Sequence, residues 1–150
     1  LMTLPVFEST LQKTHIWLNE IAQELGTEDK HQAYLALRSV LQTLRDHLTT
    51  AQVAQLGAQL PMLVRGFYYE GWVPSHRMVK ERDKKHFLDH VYKAFKTDPI
   101  LEPEVRPQAV VRAVLIVLQK HVSQGEISDV KALLPEQLRG LWPEASELVL

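Results

Sequence analysis

QLPMLVRGFYYEGW (residues 59–72) and LLPEQLRGLWPEAS (residues 133–146) carry one pattern twice: Leu-Pro, then Arg-Gly from the fourth residue beyond the proline, then a glutamate. Sliding the chain by 74 residues lays 36–72 over 110–146 without a gap. The identical pairs are Arg38/Arg112, Val40/Val114, Leu41/Leu115, Leu44/Leu118 and His47/His121, then Leu60/Leu134, Pro61/Pro135, Arg65/Arg139, Gly66/Gly140 and Glu70/Glu144. Upstream, WLNEIAQEL (17–25) resembles FLDHVYKAF (87–95) at a shift of 70. The difference between the two shifts falls in GTEDKHQ and KTDPILEPEVRPQ, connections that absorb insertions at little entropic cost. The chain is therefore read as an internal repeat of one unit.

Each unit reads as four helices. Leu11, Leu18, Ile21, Ala22 and Leu25 recur at helical spacing, and so do Leu37, Val40, Leu41, Leu44 and Leu48. Thr49-x-x-Gln52 and Ser123-x-x-Glu126 have the form of capping boxes, in which hydroxyl and longer polar side chain satisfy free N–H groups of a new helix. The next helix is short and ends at Leu60 or Leu134, where the proline suits the first turn of a fourth. Helices are expected near 7–25, 30–48, 50–60 and 61–70 and at the matching positions of the second copy. Nothing alternates with period two. The fold class is all-α: about eight helices in two tandem four-helix repeats related by a pseudo-twofold, forming a single domain over 1–150. Repeat one covers about 7–74, a linker about 75–82, and repeat two about 83–146. Within the motif, Pro61, Arg65, Gly66, Pro135, Arg139 and Gly140 are read as parts of a structural joint. A glycine inside a helix costs about 1 kcal/mol relative to alanine, tolerable where a neighbouring helix comes close.

Bulk properties narrow the function classes. The 150 residues suffice for one domain with a core, and a formal net charge of −1 supplies no global attraction for nucleic acid or anionic membrane. There is no cysteine, so disulfides and thiolate metal sites are excluded. No apolar run approaches the roughly 20 residues that span a bilayer, and the start lacks the basic and apolar segments of a secretion signal. A cytoplasmic location is expected. No nucleophile motif, Gly-rich phosphate loop or dinucleotide fingerprint is present; no enzymatic activity and no cofactor are expected.

The Leu-Pro-x-x-x-Arg-Gly block with its FYYEGW continuation resembles a bacterial family catalogued as domain of unknown function 2267. The resemblance runs from about Phe7 to Pro143 and includes the duplication; the second copy lacks the aromatic tail. It implies an all-helical domain and carries over no catalytic residue or cofactor.

Four features hold chemical potential. DKKHFLDH sets Asp83, His86 and His90 on one side of a helix, a spacing that would suit a metal. That side lies away from the apolar face of Phe87, Leu88, Val91, Ala94 and Phe95, so no metal is expected there. His47 and His121 end equivalent helices, where imidazole meets the negative helix terminus favourably. Basic residues gather in SHRMVKERDKK, read as a solvated linker. Tyr69 and Trp72 align with Pro143 and Ser146, so the repeat gives them no required core role. Tyr69, Trp72, Arg77 and Lys80 are accordingly the candidate partner-binding residues.

Two structural expectations follow. Duplicated charges suggest one bond made twice, Arg38 to Glu70 or Arg65 to a nearby carboxylate. VVRAVLIVL is apolar nearly all round, so its helix is expected to be the most enclosed. The reading is an uncharacterised helical domain for protein–protein interaction or scaffolding, with an unknown protein or a second copy of the chain as partner and no membrane association. The alternatives are nucleic-acid binding through the basic segment, against which the charge balance argues, and small-molecule sensing in a groove between repeats.

Overall fold

The computed structural model describes residues 4–75, 78–96 and 106–143, which form eight helices and no strand. These are α1 (Pro5–Leu25), α2 (Lys30–Asp46), α3 (Thr50–Ala58), α4 (Met62–Tyr69), α5 (Lys84–Lys96), α6 (Pro107–His121), α7 (Gln124–Leu133) and α8 (Glu136–Arg139).

Local chemistry explains where they begin and end. Prolines open α1 and α6, where a missing N–H costs nothing. Gly26 ends α1 in the left-handed region at φ 71°, returning its N–H to Ala22 and Gln23 carbonyls. Asp29 caps α2 through the N–H groups of His31 and Gln32. Pro61 and Pro135 take the N-cap position of α4 and α8 with nearly the same backbone angles (φ −56°, ψ 150° and φ −58°, ψ 155°). Their carbonyls accept the first helical bonds, from Arg65 and Arg139. Proline has no capping side chain, and Thr10 of α1 supplies one instead by accepting the Leu63 N–H at 2.9 Å.

The hydroxyl half of each expected capping box is present: Gln52 N–H donates to Thr49 Oγ1 and Glu126 N–H to Ser123 Oγ, both at 3.2 Å. The return half is replaced. Gln52 and Glu126 turn toward each other, the Gln52 amide donating to the Glu126 carboxylate in a buried contact between α3 and α7. The Ser123 N–H goes to Gln59 Oε1 at 3.1 Å. Burial pushes the Glu126 carboxyl above its usual range, with Asp129 adding to the effect.

The core forms around α2 and α6, which touch each other; α1 packs on both, and so does α5. Eight residues of α6 are buried, including Ile116 at 8% and Val117 at 0% exposure. α2 is enclosed as well, Ala36 and Thr43 included, so the two helices share the centre. Tyr68 anchors α4 against α3, its buried hydroxyl donating to the Val53 carbonyl at 2.8 Å. Burial holds that phenol protonated far above its usual range.

The fourth helix differs between the two halves. α4 runs through Gly66 to Tyr69, whereas α8 is a single turn that stops before Gly140. Pro143 stands at the repeat position of Tyr69. It offers no N–H and steers the residue before it away from helical angles, so the helix cannot continue.

Gln52→Glu would put two carboxylates in one buried contact, and one of them would hold its proton well above the usual carboxylate range. A carboxyl with a raised folded pKa contributes stability at low pH that is lost as pH rises past about 4.5. The variant is expected to melt lower than the native protein at pH 7, by about 2 kcal/mol, and to regain stability toward pH 4. Thermal melts across that range check it; equal stability at pH 7 would contradict the contact.

Candidate functional site

Of the expected joint residues, Arg65 makes side-chain bonds, with different partners from those expected. Arg65 reaches back across Pro61 to the end of α3, donating to the carbonyls of Gly57 (2.8 Å), Leu60 (2.9 Å) and Ala58 (3.4 Å). Its partner is therefore backbone and not a carboxylate. A guanidinium suits this role because its donors are many and splayed, matching several helix-end carbonyls at once. Arg38 lies over the Tyr34 ring, 5.5 Å from its centroid, and Glu70 is not its partner. Glu144 lies outside the described residues, and Arg139 is exposed.

Gly66 is not a close-approach glycine: a Cβ built there meets nothing within 4 Å. Gly140 has only ordinary contacts with its own turn. The glycine that is needed is Gly57 on α3, where a Cβ would stand 2.5 Å from the Tyr69 hydroxyl.

That contact also explains the aromatic tail. Tyr69 lies over Gly57, edge-on to Tyr68 at 4.9 Å and 5.7 Å from Trp72, and both Tyr69 and Trp72 are half-buried against the core. Lys80 is exposed, and Arg77 lies outside the described residues.

The linker is anchored, in contrast to the solvated segment expected. Val79 N–H donates to the Asp46 carbonyl at 3.2 Å, and Arg82 Nη2 donates to the carbonyls of His47 (2.7 Å) and Leu133 (2.8 Å). One of the basic residues thus faces inward. Arg45 does comparable work at the end of α4, bonding the Tyr68 and Glu70 carbonyls at 2.8 and 3.0 Å while pairing with Asp46.

Of the candidate metal ligands, the structure unites Asp83 with His86 and leaves His90 out. His86 Nδ1 lies 2.5 Å from Asp83 and its Nε2 2.7 Å from Glu81. Asp83 also accepts the His86 backbone N–H at the start of α5, and that bond, with the ring's, keeps its carboxyl below the usual range. Among the described residues no group of three His, Asp or Glu is placed to hold a metal ion.

The two repeated histidines occupy unlike surroundings. His121 is stacked on Trp17 at 4.9 Å, with Nε2 2.8 Å from the Glu20 carboxylate. His47 is 1% exposed, against Phe87 at 5.0 Å; its Nδ1 meets the Thr43 carbonyl at 2.8 Å and its Nε2 has no partner. The carbonyl fixes the proton on Nδ1, so a second proton would put an unsatisfied charge beside Arg82 and near His90, with Asp46 the one acid opposing them. Desolvation accordingly lowers the His47 pKa, and the cationic neighbours add to it.

Two grooves open on the surface. One, of about 480 Å³, lies between α1, α2 and α4, with Leu11, Leu18, Tyr34, Leu63, Gly66 and Phe67 among its walls. The other, of about 370 Å³, lies where α1 and the α3–α4 turn meet the end of α6. No helix among the described residues is long and apolar enough to cross a membrane.

Together these features define an all-helical domain with buried polar joints and two surface grooves. The chain belongs to the family of uncharacterized conserved proteins DUF2267, whose model matches residues 14–141. Comparison with curated proteins finds no match.

Two predictions follow. Gly66→Ala should raise stability by about 1 kcal/mol, the helix-propensity difference, since space is free. Gly57→Ala should lower it by about 1 kcal/mol, because overpacking against Tyr69 outweighs the same gain. Adding Tyr69→Ala to Gly57→Ala should remove the packing conflict, and denaturant melts of the set separate the terms. The second prediction concerns acid. A histidine whose folded pKa is depressed contributes stability that is present above the unfolded value of 6.5 and lost as pH falls below it. The melting temperature should therefore decline from pH 6.5 downward, and His47→Leu should flatten that limb. An unchanged limb in the variant would assign the decline to other groups.

Proposed function

We propose that this is a non-enzymatic helical domain that binds another protein, built from two four-helix repeats, about 7–74 and 83–146, related by an approximate twofold axis. Packing supports the repeat: α1 against α6 is matched by α2 against α5, while α2 meets α6 and α3 meets α7. Gln52 and Glu126 hold equivalent positions 74 residues apart and touch, as residues beside a twofold axis must. Trp17 on His121 is matched by Phe87 on His47.

The observation that carries the binding reading is the apolar surface of α1 and α4. Leu4, Phe7 and Leu11 at the start of the chain and Met62 and Leu63 on α4 are all exposed, and Leu11 and Leu63 line the larger groove. Spacing of three and four along α1 makes this a stripe beside a trough, the geometry that receives the apolar face of an amphipathic helix. Gly66 keeps a wall of the trough low, which gives a reason for a helical glycine that packing within the chain does not supply. Tyr69 and Trp72 are half-buried, Tyr69 over Gly57 on the α3 side of α4, and hold α4 in place. The nucleic-acid alternative is weakened by the inward turn of Arg82.

The test is Leu11→Asp with Leu63→Asp, two exposed positions whose change should leave the melting temperature unaltered. A stoichiometric partner captured by the native protein should bind the variant at least about tenfold more weakly. Light scattering identifies the partner as a second copy if the native protein is a dimer and the variant a monomer. Retention of the partner by the variant, or a native monomer that captures none, would reject the reading.

A further inference from the structure

The two joints between the halves share one construction, closed in one place and open in the other. In the closed joint the C-terminal ends of α2 and α7 converge, and Arg82 Nη2 bridges the carbonyls of His47 and Leu133 beside the Phe87 ring. At the repeat offset, His121 stands for His47, Gln59 for Leu133, Trp17 for Phe87, and Leu60-Pro61 for Leu134-Pro135. In that second setting, among the described residues, no arginine bridges the corresponding carbonyls of Gln59 and His121; Arg65 holds the neighbouring Gly57, Ala58 and Leu60 carbonyls. Trp17, Gln59, Leu60, Pro61 and His121 instead line the open groove of about 370 Å³, together with Lys13 and Ile16 of α1. Gln59 and His121 are tied down through side-chain atoms, Oε1 to the Ser123 N–H and Nε2 to Glu20. Among the described residues neither of their carbonyls receives a donor.

We propose that this groove binds the guanidinium group of an arginine presented by a partner protein, as the counterpart of Arg82 in the closed joint. The inference rests on the repeat reading above. The carbonyls of Gln59 and His121 end α3 and α6, so each carries the partial negative charge of a helix C-terminus. On the repeat reading these two ends lie side by side as those of α2 and α7 do, an arrangement that favours a cation and lets a planar fork of N–H donors meet both at once. Glu20 pairs with Lys120 at 3.4 Å and also meets the His121 ring at 2.8 Å. Lys13 and Arg65 are the opposing charges; the Arg65 guanidinium is held on the Gly57, Ala58 and Leu60 carbonyls, so Lys13 is the one free to move. It is exposed, and its long stem lets the ammonium swing into water as a ligand enters. In the closed joint Asp83 occupies the matching position, consistent with a resident arginine there and a visiting one here.

The experiment is a nitrogen-15 NMR titration of the full chain with N-acetyl-arginine methylamide, and in parallel with its citrulline analogue, which keeps the shape and loses the charge. The arginine compound should produce saturable shifts at Ile16, the Trp17 indole and His121, with a dissociation constant on the order of millimolar for so small a ligand. Citrulline should bind at least about tenfold more weakly, the difference made by a charge-assisted hydrogen bond. Lys13→Met should tighten binding about threefold by removing an exposed like charge. Ile16→Trp, at a half-exposed wall position, should abolish it without loss of fold. A companion measurement isolates the repeat reading: Arg82→Ala should lose stability that methylguanidinium restores. If Arg82→Ala is rescued while the native groove stays silent, or answers citrulline equally, the groove assignment is overturned and the repeat stands. If neither responds to guanidinium, the equivalence of the joints fails with it.

Discussion

Short helices that end against a protein leave their last turn of carbonyls partly shut off from water, and this fold contains several. A helix of eight or nine residues, such as α4 or α3, places much of its backbone within reach of an end. Each buried carbonyl left without a donor costs about 1–3 kcal/mol. Arginine meets that demand three times. Arg65 closes the end of α3, Arg45 takes carbonyls at the end of α4, and Arg82 joins the ends of α2 and α7. The three guanidinium groups fix how the short helices turn against the long ones. The apolar core then fills the space they define, with α2 and α6 at its centre. Remove one such group and a cluster of carbonyls is stranded, which makes these contacts harder to replace than the hydrophobic pairs around them.

Much of the fold was legible because it depends on side-chain pattern. Helical spacing gave the long elements, the Thr49 and Ser123 hydroxyls gave the starts of α3 and α7, and the two prolines gave the starts of α4 and α8. The polar joints were less legible for a physical reason. A guanidinium bonded to backbone carbonyls leaves no complementary residue type to find, since every residue has a carbonyl. Arg65 therefore looked like half of an ion pair, and Arg45 and Arg82 carried no signal. Arg45 is also unduplicated, with Gln119 at its repeat position. The same holds for the glycines. Gly66 and Gly140 recur and so drew attention, whereas the close approach falls at Gly57, whose counterpart is Lys131. Lys131 can stand there because the second half has Trp142, with its ring 5.4 Å from the ammonium, and no counterpart of Tyr69.

Recurrence proved a poor guide to environment for the histidines. Both sit at the end of a long helix against an aromatic ring, yet one is sealed with an orphan nitrogen and the other touches a carboxylate. The difference comes from what lies beyond the ring. The anchored linker covers His47, and an open groove borders His121. Sequence gives the residue and its helix; whether a later segment folds over it depends on Arg82, more than thirty residues away. Candidate surface residues suffered similarly, since Tyr69 finds a bare glycine to rest on and is half-buried for that reason.

The pattern of change between the two halves has its own logic on the proposed axis. Apolar pairs such as Val40/Val114 and Leu44/Leu118 remain identical and all four residues are buried in the shared core, where a hydrocarbon is favourable against any apolar neighbour. A polar residue facing its own copy is not. Two carboxylates at the α3–α7 contact would repel until one took a proton, and two amides would have to arrange donor against acceptor. Gln52 opposite Glu126 resolves the conflict, since an amide donates and a carboxylate accepts. Arg82 follows the same rule at a distance from the axis: it serves one joint and has no twin in the other. On the proposed duplication, such a change at the α3–α7 contact lets two like halves pack as one body, with Arg82 filling one joint from within.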